Sequence, residues 1–167
     1  MAQLWSRVLA MLAGVGGAIF AGMFVAIVVD VTMRAVGLQP PLWTGTYTEF
    51  GLLYATMLAA PWLIGRDGHI RVRAMVDRMP APLAARIETV VLVVLAALCA
   101  LLAVFAFEVA RDAWARGEVE YRSVILPRWI LFAPMPLGFG LSAIEFARLA
   151  LSGMGDRSGA SDAQRSL

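Results

Sequence analysis

The chain has 167 residues, with 14 basic and 12 acidic side chains and a formal charge of +2. Hydrophobic residues make up 60% of it and the mean hydropathy is +0.76, against roughly 45–50% apolar usage in soluble domains, which argues against an ordinary cytosolic enzyme. Every basic residue is arginine, and Cys99 and His69 stand alone, so the composition offers no internal disulfide, zinc cage, bis-histidine haem site or lysine-rich nucleic-acid surface.

A helix that crosses ~30 Å of hydrocarbon needs ~20 mainly apolar residues. Charge-free runs occupy 8–29, 50–65, 89–107 and 129–144. The second reaches spanning length by extending back to Trp43 and admitting Glu49, and the fourth by extending to Leu151 and admitting Glu145 and Arg148. The expected fold is an all-α integral membrane protein. Its membrane domain, residues 1–151, holds four transmembrane helices at about 8–30, 43–65, 86–110 and 128–150.

The first run follows Arg7 but exceeds the ~7–15 apolar residues of a signal peptide, and no small-residue cleavage site ends it, so it is expected to remain as a span. Within it Ala13, Gly17 and Ala21 form a ladder of small residues at four-residue spacing, suited to a close helix neighbour. Asp30 and Arg34 close the span at i,i+4, a spacing that favours pairing. Glu49 enters the second span, and Arg34 is expected to reach toward it across the two helices.

After the second span, Val72, Met75, Val76 and Met79 recur at helical spacing among Arg71, Arg73, Asp77 and Arg78. The pattern reads as a short amphipathic cytoplasmic helix, lying either on anionic membrane lipids or on a partner protein. Pro80 and Pro82 stop it before the third span. That span has no charge at its centre, and Cys99 reads as a small buried hydrophobe.

The outer loop at 111–128 mixes Glu118 and Glu120 with arginines, and the third span is expected to continue into it as helix. In the fourth span Gly138 and Ser142 repeat the small-residue device, Pro134 and Pro136 predict a kink, and Glu145 pairs with Arg148 at i,i+3. Residues 152–167, rich in Gly, Ser and Asp, are expected to form a disordered cytoplasmic tail.

Arginine counts beside the spans orient the chain. With a cytoplasmic N-terminus, nine arginines lie inside and five outside, so both termini are expected inside. Trp5, Trp43, Trp62 and Trp129 fall near span ends as interface anchors, with Trp114 close to another. No nucleophile with its base, paired catalytic carboxylates or phosphate loop is present, so no enzyme activity and no cofactor are expected.

The order of these features resembles the small membrane subunit, the DctQ-like or Q subunit, of tripartite ATP-independent periplasmic (TRAP) transporters. The resemblance covers about residues 8–150 and rests on Val31 and Arg34, on Trp43 and Glu49, on Gly68, His69, Ile70, Arg71 and Val72, on Met79 and Pro80, and on Pro127, Trp129, Pro136, Leu137 and Gly138. Where the family often follows its Trp with two acids, this chain has Glu49 alone.

The resemblance implies a bacterial inner-membrane scaffold subunit. Its implied partners are a large multi-span transport subunit, which imports an organic acid by sodium symport, and a periplasmic substrate-binding protein that the outer loops help to dock. The alternatives are a self-sufficient small four-span transporter, which would use Glu49 as its intramembrane acid, and a membrane anchor of another complex.

Overall fold

The computed structural model describes residues 2–67, 81–121 and 125–165. In chain order these form α1 (Ala2–Ala35), α2 (Trp43–Asp67), α3 (Ala81–Ala115), β1 (Val119–Tyr121), β2 (Ile125–Pro127), α4 (Arg128–Phe132) and α5 (Pro134–Arg165). Three segments, Gln3–Ala35, Arg86–Ala115 and Arg128–Ser152, are long and apolar enough to cross a membrane. The 25 residues of α2 have the length, but Thr44, Thr46, Thr48, Glu49 and Arg66 dilute its hydropathy below that of the other three.

Helix ends follow local chemistry. Gly37, at φ +79°, ends α1 in a Schellman turn, with Leu38 N–H bonded to Met33 O at 2.8 Å and Gly37 N–H to Arg34 O at 3.1 Å. Gly117, at φ +59°, ends α3 in the same way through Trp114 O and Ala113 O. A side chain at either glycine would have to occupy the left-handed region.

Beyond Gly117 the chain makes an antiparallel strand pair, Val119 opposite Pro127, Glu120 opposite Leu126 and Tyr121 opposite Ile125. The all-α expectation omitted this pair, because three-residue strands among charges leave no readable alternation. At the other end α5 runs to Arg165.

The helices form a row. α1 packs along α2, α2 along α5, and α5 along α3, whereas α1 and α2 have no extended contact with α3 among the described residues. Contacts of Gly16 with Ala55 and of Gly51 with Met23 run antiparallel between α1 and α2. Those of Met57 with Gly138 and of Gly65 with Glu145 run parallel between α2 and α5. A layer one helix thick buries little of itself, and large apolar side chains such as Phe20, Phe24, Leu98 and Phe105 stay about half exposed.

Glycines set the closest approaches along this row. A Cβ on Gly16 would stand 2.8 Å from Ala55 O, whereas Gly14 and Gly17 have nothing within 4 Å. The ladder through Ala13, Gly17 and Ala21 is therefore not the one that meets α2. At 100° per residue Gly16 and Gly17 face different ways, and only Gly16 faces α2. A Cβ on Gly138 would stand 2.7 Å from Met57 Cβ and 2.8 Å from Met57 O. That carbonyl is the one whose helical donor Pro61 removes, and Pro61 is the largest fully buried side chain.

Pro134 leaves a similar gap at Ile130 O, which falls at the break between α4 and α5. The Tyr54 hydroxyl donates a hydrogen bond to that carbonyl from α2.

Gly138→Ala should destabilise the helix array by about 1–3 kcal/mol, because its neighbours are backbone and a Cβ that cannot swing away. Gly14→Ala, in open space, should leave stability unchanged or raise it by up to about 1 kcal/mol. Thermal unfolding in detergent measures both. Tyr54→Phe, which strips the donor from Ile130 O and keeps the ring, should cost about 1–3 kcal/mol in the same assay.

Candidate functional site

Where the start of α1, the end of α2 and the middle of α5 converge, a carboxylate is enclosed. Glu145 is 7% exposed. Trp5 Nε1–H donates to its Oε2 at 2.7 Å, and Arg148 Nη1 donates to the same oxygen at 3.0 Å. Its Oε1 lies against α2, where a Cβ on Gly65 would come within 2.8 Å. Charge-assisted bonds of this kind are about twice as strong as neutral ones.

Each part of this cluster has a local cause. Glu145 and Arg148 meet because residues three apart share a helix face, and Gly65 leaves the gap into which the carboxylate fits. Trp5 arrives from 140 residues away because α1 runs antiparallel to α2, bringing its first turns beside the last turns of α2. The Arg148 guanidinium lies 5.7 Å from the Trp5 ring centroid, and Arg66 lies 4.5 Å from that of Trp62. Together they border a cleft of about 350 Å³.

The opposite end has a different character. Arg34 Nε donates to Asp30 Oδ2 at 2.8 Å on its own helix. Glu49 is exposed on α2. Beyond α3, Arg128 Nη1 donates to Glu118 at 2.8 Å, while Arg116 stands 3.7 Å from Glu118 and 3.8 Å from Asp112. These pairs are largely solvent-exposed, where each contributes about 0–1 kcal/mol. They shape the hairpin rather than hold the fold.

Trp43 meets Tyr47 edge to face at 6.1 Å, and Trp114 meets Trp129 at 4.6 Å, joining α3 to α4. Between α1, α2 and α4 at this end lies an apolar cleft of about 350 Å³, lined by Ile19, Phe50, Tyr54 and Ile130 among others. Cys99 is half-buried in α3. Val72, Met75, Val76, Met79 and His69 lie outside the described residues.

Reading the residues as separate span-end anchors and local pairs missed the joining of Trp5, Gly65 and Glu145. One signal for it was available. An acid inside a fourth span needs more donors than one arginine, and Trp5 lies near the span end that the alternation of spans brings to the same side of the membrane as Glu145.

The family model described as "Tripartite ATP-independent periplasmic transporters, DctQ component" matches residues 23–154. No individually curated protein matches the chain.

Trp5→Phe and Glu145→Gln should each lower stability, and a double-mutant cycle should give a coupling of about 0.5–2 kcal/mol between them. Additive losses would show that the indole and carboxylate act independently.

Proposed function

Because the chain belongs to the DctQ component family of tripartite ATP-independent periplasmic transporters, we propose that it is the small scaffold subunit of a sodium-coupled importer of organic acids. In this reading it enlarges the static wall against which a large multi-span transport subunit works. Its outer hairpin and the charged end of α3 help to dock the periplasmic binding protein. It sits in the bacterial inner membrane with both termini cytoplasmic, and α2 serves as the fourth span between α1 and α5.

The observation that carries this reading is the row of helices. A single layer offers two broad apolar faces, and the most apolar part of α3 is only 6% buried within the chain. Such faces suit lipid on one side and a large membrane partner on the other. The exposed Leu98, Leu101, Leu102 and Phe105 of α3 are unbroken by charge, which suits packing more than solute passage.

The remaining parts have roles consistent with this. Trp5, Trp43, Trp62 and Trp129 set the depth of the helices at the two interfaces. The pairs Asp30 with Arg34 and Glu145 with Arg148 are structural, each neutralising an acid near a membrane boundary.

An affinity-tagged form of the chain should retain a much larger membrane protein through purification. Reconstituted by itself it should carry no solute or proton flux, whereas addition of the large subunit and loaded binding protein should yield sodium-dependent uptake. Substrate-driven flux through the purified chain alone would refute the scaffold role.

A further inference from the structure

The cleft beside Glu145 has an excess of cations. Arg7, Arg66 and Arg148 border it against the single carboxylate. Arg148 is committed to Glu145, whereas Arg7 and Arg66 have no acidic partner among the described residues. Trp62 backs the Arg66 guanidinium at 4.5 Å, and Trp5 stands on the other side of the opening. Indoles favour the depth at which hydrocarbon gives way to headgroups.

The cleft also has an apolar wall. Leu9 and Ala10 line it, and on the α1 surface Arg7 is followed at four-residue steps by Met11 and Val15, 73% and 53% exposed. Residues four apart share a helix face, so a cation at the boundary continues directly into an apolar track along the membrane. A ligand suited to this arrangement is anionic at one end and apolar at the other. A volume of about 350 Å³ accommodates a headgroup, not a whole lipid.

We propose that this cleft binds the phosphodiester headgroup of an anionic phospholipid, with Arg7 and Arg66 on the phosphate and an acyl chain along Met11 and Val15. Guanidinium groups suit the role because their planar N–H forks match phosphate oxygens. The Glu145 network positions the walls, since Glu145 ties Trp5 on α1 to Arg148 on α5 and abuts Gly65 on α2. Occupancy would therefore brace three helices at one membrane face. The proposal rests on insertion in a membrane and does not require assembly with a large subunit.

The test titrates the purified full chain, in a neutral detergent, with dioctanoyl phosphatidylglycerol, dioctanoyl phosphatidylcholine or inorganic phosphate, and counts bound molecules by native mass spectrometry. Phosphatidylglycerol should saturate one site and bind more tightly than phosphatidylcholine. The double variant Arg7→Gln/Arg66→Gln should weaken it by roughly tenfold or more, and Arg7→Lys/Arg66→Lys should restore much of the loss. Arg111→Gln, a charge removed at the opposite end, should leave binding intact.

Met11→Asn, on an exposed surface, should weaken the lipid without lowering the melting temperature. Equal affinity for the two lipids, or undiminished binding in the Gln double variant, would overturn the proposal. Inorganic phosphate binding as tightly as phosphatidylglycerol would do so too, by assigning the site to a soluble anion. Because the chain is titrated alone, these results are separate from retention of the large membrane protein, which reads the scaffold role.

Discussion

The carbonyl of Met57 loses its helical donor to Pro61. The fold answers by burying that proline and bringing the α5 backbone against the gap at Gly138. Pro134 creates the same problem on α5 at Ile130, and the answer comes from α2 through the Tyr54 hydroxyl. At Ile130 the other helix supplies the donor that the proline removes. With α2 and α5 joined in this way, α1 packs along α2 and α3 along α5, and a row results.

A row has consequences for function that a closed bundle lacks. Among the described residues it leaves both faces to the surroundings and makes the two ends the places where helices are cross-linked by polar groups. At one end the link is a buried carboxylate shared by an indole and a guanidinium. At the other it is a mixed-charge hairpin whose pairs are exposed and weak. The family identity makes the chain a component of a tripartite transporter, and a row with two open faces is compatible with the scaffold role proposed for it.

Much of this was legible where the cause is local. Apolar runs located the helices because membrane thickness fixes their length, and the i,i+4 and i,i+3 spacings brought Asp30 to Arg34 and Glu145 to Arg148. What escaped depends on which face a helix turns to its neighbour. The glycines of α1 were recognisable as packing residues, but choosing Gly16 over Gly17 requires knowing where α2 lies. The junction of Trp5 with Glu145 spans nearly the whole chain and depends on helix order. The strand pair after Gly117 was hidden by its brevity.

The central claim is the row, and distance between its outer members measures it directly. Spin labels at Val15→Cys on α1 and Phe105→Cys on α3, in a Cys99→Ala background, sit on exposed positions. Three interhelical steps of about 8–10 Å place the two helices roughly 24–30 Å apart when the layer is straight. A pulsed electron–electron resonance distance distribution centred beyond about 20 Å fits the row. A distribution centred near the ~8–14 Å of adjacent or diagonal helices in a closed four-helix bundle would contradict it.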